Sequence, residues 1–319
     1  MSKRHQRKLN WAKTPERNQP MRIGIDLGGT KTELIAIDNT GNELSRERIP
    51  TPAQSYDEIL HSIRDIIEIT EEKLSLTGTI GIGMPGAISP ATGLIKNSNT
   101  VCLNGKRFSD DLERIMKRPV RIANDANCFA LSEAIDGAGK TASIVFGAIL
   151  GTGCGGGVVI NQQLIVGSNA ISGEWGHNPL PWASASELAA GPCYCGKTGC
   201  IELFLSGTGI ERDHYQTWGE KKKSKDIFSL AQEGDAHCSQ TINIYKDRLA
   251  RSLASIINMI DPHVIVLGGG VSNVNDLYSD IPQLLNKYVF SDHISTQIVK
   301  NKYGDSSGVR GAAWLWPQT

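Results

Sequence analysis

One residue in the stretch RIANDANCFALSE, Arg121 to Glu133, has the type and placement for proton transfer, Asp125, and the polar Asn124 stands directly before it. An apolar run of Val120, Ile122 and Ala123 reads as a buried strand, and Ala126 to Ala134 as a helix, so the pair falls at a strand-to-helix junction. The unpaired N–H groups and positive dipole end of a helix stabilise a carboxylate there as the anion. Asp125 can therefore serve as a base or as a ligand to hydroxyls, and the plainer use of such a pair is an N-cap.

A second constellation is metal-like. His177, in GEWGH, is followed by Cys193, Cys195 and Cys200 in CYCGKTGC. One imidazole and three thiolates form the ligand set of a closed tetrahedral zinc site, which fixes a loop and leaves no position open for water. The Cys193–Cys195 spacing is C-x-C, not the C-x-x-C of redox pairs. Glu174 and Glu202 flank this loop, 174–202, and zinc would hold both carboxylates on a rigid frame suited to a ligand with several hydroxyls.

Glycine turns supply the third set. In DLGGTKT, Gly28 and Gly29 allow backbone N–H groups to approach an anion. Thr30, Lys31 and Thr32 offer further phosphate donors, and Asp26 can hold hydrated Mg²⁺. Gly151, Thr152 and Gly153 form a similar turn between two apolar strands. Gly268, Gly269 and Gly270 follow a buried strand and could let a nucleotide base lie against the backbone. Two matches to familiar patterns fail on physics. Gly191 to Thr198 fits the P-loop expression, yet it lacks a preceding buried strand and contains Pro192, which has no N–H. The G-x-G-x-x-G spacings at Gly81 and Gly151 do not open the helix that dinucleotide binding needs.

The elements that must position these residues form a repeated plan. Met21 to Asp38 is a β-hairpin and Glu43 to Pro50 a third strand; Tyr56 to Leu74 has a helical stripe, and a strand, a short helix and the strand ending at Ala123 follow. Ser143 to Leu164 begins the plan again, which points to duplicated α/β domains. Arg248 to Ile260 reads as an amphipathic helix, and Val309 to Trp316 as a helix packing back on the first lobe. The expected division is a basic disordered tail over 1–20, an N-terminal lobe of 21–124 plus about 304–319, and a C-terminal lobe of 125–303.

Composition narrows the class. A chain of 319 residues with 39% hydrophobic and 21% charged residues reads as a globular protein with no membrane span. The first twenty residues hold six of its basic side chains against Glu16, leaving 27 basic against 32 acidic, so the body has no electrostatic footprint for nucleic acid. Without an apolar leader, the seven cysteines point to a cytoplasmic protein with a metal site.

Together DLGGTKT, GMPG, NDAN, ILGTGCGGG, GEWGH, CYCGKTGCIE and VLGGG carry a resemblance to the ROK sugar kinases over Met21 to Trp316, most of all to the bacterial fructokinase or manno(fructo)kinase type. The resemblance implies a two-lobed actin/hexokinase-like (ribonuclease H-like) α/β fold, with ATP and sugar in the cleft between lobes, and a homodimer. It implies that Asp26, Gly28, Gly29, Thr30, Lys31 and Thr32 form a first phosphate loop, Gly151, Thr152 and Gly153 a second, and Gly268 to Gly270 an adenosine-side loop. It further implies that Asn124, Asp125, Glu174, His177 and Glu202 contact the sugar, with Asp125 as general base and His177 using one ring nitrogen for zinc and the other for a sugar hydroxyl. The expected reaction is transfer of the ATP γ-phosphate to the C6 hydroxyl of fructose, then mannose or glucose. An N-acetylhexosamine kinase is the enzymatic alternative, and a non-catalytic sugar-sensing regulator the alternative of another class. The tail before Met21 departs from kinases of this type.

Overall fold

In the computed structural model residues 21–317 are described, and the tail expected over 1–20 lies outside them. The chain divides into two compact units. The first takes the chain up to Asp136, Leu164–Ser172 and the end from Ser306, and the second takes Gly137–Gln163 and Gly173–Asp305.

In the first unit, β1 (Met21–Leu27), β2 (Lys31–Asp38) and β3 (Glu43–Pro50) precede α1 (Tyr56–Leu74) and β4 (Gly78–Met84). The short β5 (Ala87–Ile88) and β6 (Ile95–Lys96), α2 (Phe108–Met116), β7 (Val120–Asn124) and α3 (Asp125–Ile135) follow. The sheet order is β3-β2-β1-β4-β7, with β1 antiparallel to β2 and parallel to β4. Ile23, Ile25, Ile80 and Ile82 share one face of the sheet and are fully buried there, while Gly24 and Gly81 between them face the C-terminal helix. The Ile59, Ile63 and Ile67 stripe of α1 contributes to that core. The helix α10 (Ser307–Ala313) packs against β1, β4 and α3.

Glycines set how closely α10 can approach. A Cβ on Gly81 would lie 1.9 Å from the Ala312 carbonyl oxygen, and one on Gly311 would lie 1.6 Å from that of Cys128. Beyond the helix, the Trp316 indole N–H donates to the Ile80 carbonyl at 2.7 Å, and Arg22 donates to the Trp316 carbonyl at 2.8 Å. This backbone-to-backbone seam explains a departure from the expected division. Helix α3, assigned by sequence to the start of the second lobe, packs in the first unit, as does Leu164–Ser172.

The second unit starts with β8 (Ile144–Leu150) and β9 (Cys154–Ile160), and β10 (Gln163–Ile165) follows at the boundary with Leu164–Ser172. The helices α4 (Ala185–Leu188), α5 (Glu202–Leu205), α6 (Gly207–Trp218), α7 (Ser224–Gln232) and α8 (Ala236–Ile260) lead to β11 (Val264–Gly268), α9 (Asp276–Leu285) and β12 (Gln297–Lys300). Its sheet order, β10-β9-β8-β11-β12, repeats that of the first unit, with the same antiparallel hairpin and the same parallel neighbour. The duplication inferred from two glycine hairpins is thus a duplication of topology.

Helix α8 is longer than the expected Arg248–Ile260. The Asp235 carboxylate caps it by accepting the Cys238 N–H at 2.8 Å, and its polar first half hid the start. Arg248 and Arg251 on its buried face each donate to Glu187 at 2.8 Å. Among the described residues no helix is long and apolar enough to cross a membrane.

Candidate active site

The first unit carries the carboxylate pair. Asn124 caps α3: its Oδ1 accepts the Ala126 N–H at 2.9 Å, and its Nδ2 donates to the Gly86 carbonyl at 3.1 Å. Asp125, exposed at the first position of the helix, also accepts that N–H, at 2.9 Å. The N-cap reading is realised by Asn124, which leaves Asp125 exposed beside it at the helix start. Asp26 ends β1, in register with Glu33 on β2 and Gly83 on β4. Burial pushes its carboxyl up to about 6, the charges of Asp125 and Glu33 add to the rise, and Lys31 partly offsets it. Glu33 is already neutralised by Arg46 at 2.5 Å and Arg48 at 2.7 Å. What remains is the repulsion between Asp26 and Asp125, and Asp26 is an oxygen donor chemically matched to a hard divalent cation.

The first glycine loop closes with the Gly28 N–H on the Lys31 carbonyl at 3.0 Å, and Gly29, Thr30 and Lys31 are exposed. Thr32 differs from the expected donor role. It is fully buried, with its hydroxyl 2.8 Å from that of Thr51, because the alternation of β2 turns it inward. Thr100, passed over in the sequence, places a buried hydroxyl with no partner among the described residues beside this loop, 3.8 Å from where a Gly29 Cβ would stand.

The second unit brings three glycine turns together. The Gly207 N–H donates to the Gly151 carbonyl at 2.7 Å, and the Thr208 hydroxyl donates to the Thr152 carbonyl at 3.0 Å. Since a trans peptide holds its N–H opposite its carbonyl, the Thr152 and Gly153 N–H groups face away from α6, as an anion nest requires. Gly269, at φ 79°, lies against this loop, where a Cβ would come 2.5 Å from the Leu150 carbonyl oxygen. The Ser206–Gly209 segment was missed. Its signal was a serine N-cap, and Ser206 Oγ accepts the Gly209 N–H at 3.0 Å.

Glu202 also belongs to this loop. Its Oε2 accepts the Cys154 N–H at 2.9 Å and would meet a Gly153 Cβ at 2.6 Å. Glu174 is exposed at the start of the short turn Trp175–His177.

The His177, Cys193, Cys195 and Cys200 ligand atoms all lie within 4.8 Å of one another. Cys193 Sγ is 3.7 Å from His177 Nδ1, and the Cys195 and Cys200 sulfurs are 3.6 Å apart. Tetrahedral zinc with Zn–S bonds of about 2.3 Å separates its sulfurs by about 3.8 Å, so the donor set fits such an ion. The Lys197 backbone N–H holds the Cys195 thiol below its ordinary range. The other histidine nitrogen, expected at a sugar hydroxyl, lies 2.9 Å from the hydroxyl of the exposed Tyr194.

With this geometry established, the ROK family pattern matches residues 22–319. The chain belongs to the ROK family. It is 40% identical over 301 residues to the N-acetyl-D-glucosamine kinase of Vibrio cholerae, spanning 92% of this chain and 99% of that protein. The ROK hexokinase of Thermus thermophilus superposes with a TM-score of 0.83 at 28% identity, covering 93% of this chain and 97% of that one. The ROK family glucokinase of Streptomyces griseus, in complex with glucose and AMPPNP, has a TM-score of 0.73 at 26% identity, covering 94% and 100%. This ROK chain accordingly has the actin/hexokinase-like α/β fold and is a sugar kinase using a sugar and ATP. The expectation of fructose finds no support among these relatives, and the N-acetylhexosamine alternative fits them better.

Proposed function

We propose that this ROK kinase phosphorylates the C6 hydroxyl of N-acetyl-D-glucosamine with MgATP. The observation that carries the sugar assignment is the relatedness over nearly the whole chain to kinases named for that sugar. In the reaction the C6 oxygen bonds to the γ-phosphorus as the bond to the ADP oxygen breaks, and the hydroxyl proton passes to the Asp125 carboxylate. Asp125 suits this role because it is an exposed carboxylate at a helix start, next to the N–H groups of the first turn.

Asp26 is the residue suited to hold Mg²⁺, which when bound neutralises phosphate charge. The Gly28–Lys31 loop and the outward N–H groups of Thr152 and Gly153 bind phosphate oxygens, and Gly268–Gly270 lies on the adenosine side. Glu174, His177 and Glu202 are assigned to sugar hydroxyls, and His177 with Cys193, Cys195 and Cys200 to a structural zinc ion.

A coupled assay of ADP release tests this with N-acetylglucosamine, N-acetylmannosamine, glucose, mannose and fructose. The highest kcat/KM is expected for N-acetylglucosamine. A higher value for fructose refutes the sugar assignment, and no ADP release with any sugar refutes catalysis.

A further inference from the structure

The first unit contains a cavity of about 40 Å³ that none of the roles above uses. Its walls are mainly apolar, formed by Met84, Ala87, Ile88, Ile122, Val166 and Ala170. They come from three separated stretches: the end of β4 with the loop after it, the end of β7, and the Leu164–Ser172 segment. A water needs roughly 10–15 Å³ on the same scale, so the space suits a group of about three non-hydrogen atoms.

The polar groups on this cavity are few, and most are occupied. Asn124 spends its Oδ1 on the Ala126 N–H and its Nδ2 on the Gly86 carbonyl. Asn127, one helical turn further along α3, also lines the cavity, and its Oδ1 is buried with no hydrogen-bond partner among the described residues. A buried acceptor without a donor is costly, and small apolar walls exclude water without replacing its contacts. The complement is a small group with an apolar end and one N–H donor. A carboxylate fails because it offers no donor to Asn127, and a hydroxyl fails because it leaves the apolar walls uncovered.

We infer that this cavity is the acyl subsite of the sugar site: it seats the acetamido methyl, and Asn127 Oδ1 accepts the acetamido N–H. The inference rests on the N-acetylglucosamine reading and adds to it the part of the chain that distinguishes this sugar from glucose. Its location supports it, since Asn124 is both a wall of the cavity and the neighbour of Asp125.

The test compares kcat/KM for glucose and for glucosamine carrying N-acetyl, N-propionyl and N-butyryl groups, in the wild type and in Val166→Phe and Asn127→Leu. For the wild type the value should peak at N-acetyl and fall at N-butyryl. Val166→Phe, which fills the cavity, should lower the N-acetylglucosamine-to-glucose ratio about 10- to 200-fold, the range set by a misfitted methyl-sized group. Asn127→Leu should lower it in the same direction. Should Val166→Phe fail to fold by circular dichroism, Ala87→Val takes its place. A wild type that prefers N-acetylglucosamine, tolerates N-butyryl equally and keeps its ratio in the variants overturns the subsite alone. A wild type that prefers glucose overturns both the subsite and the sugar assignment.

Discussion

Glu202 Oε2 accepts the backbone N–H of Cys154 at 2.9 Å, which ties a carboxylate assigned to sugar hydroxyls directly to the hairpin that carries the second phosphate loop. A charge-assisted hydrogen bond of this kind contributes about 1.5–3 kcal/mol. Glu202→Ala should therefore raise KM for MgATP as well as for sugar. Steady-state kinetics with each substrate varied in turn checks this, and an effect confined to the sugar would separate Glu202 from the loop.

Asp125→Asn keeps the size of the side chain and removes the proton acceptor. Turnover should drop about 10²- to 10⁴-fold while sugar affinity by calorimetry stays within a few-fold. Near-normal kcat in this variant would exclude Asp125 as the base.

Asp26 is held at about 6, above its ordinary 3.8, chiefly by burial and then by Asp125 and Glu33. A raised pKa means the folded state favours the protonated form. That stabilisation is complete below pH 3.8 and is lost as pH rises through about 6. Asp26→Asn should thus gain on the wild type between pH 3 and pH 7, by up to about 3 kcal/mol, in urea unfolding without Mg²⁺ or nucleotide, while losing activity. A stability difference that does not change with pH would argue against the raised Asp26 carboxyl.

Thr208 holds the Thr152 carbonyl, which turns the Gly153 N–H outward. Thr208→Val is expected to raise KM for MgATP about 2- to 12-fold, the equivalent of one neutral hydrogen bond, with Thr208→Ser restoring it. An unchanged nucleotide KM would show that the loop holds its shape without this bond.

The four-ligand cluster predicts one zinc per chain by elemental analysis. Cys193→Ser with Cys195→Ser should abolish bound zinc and destabilise the 174–202 loop, seen as faster proteolysis there and a higher sugar KM. Full metal content in the double variant, or unchanged kinetics after its loss, would sink the assignment.

Much of this was legible in the letters because the signals are local. Alternation gave β1 and β2, the isoleucine spacing gave α1, and the His177–Cys200 spacing gave a cluster that the fold does bring together. The polar start of α8 and the Ser206 cap were harder to read, since neither interrupts an apolar period.

By itself the sequence determined the repeated strand plan, the glycine turns and the chemical types available at each: carboxylates at Asp26 and Asp125, a donor set of one histidine and three cysteines, backbone N–H groups in the glycine turns. Those follow from short-range periodicity and side-chain chemistry. Tertiary structure decided which unit owns α3, because Gly81 and Gly311 let α10 reach backbone contact with β4 and α3. It turned Thr32 inward to Thr51, joined Glu202 to Cys154, and enclosed a cavity among Met84, Ile122 and Val166. Each of these joins residues far apart in sequence. Their meeting depends on how sheet and helix surfaces fit, which no local pattern encodes.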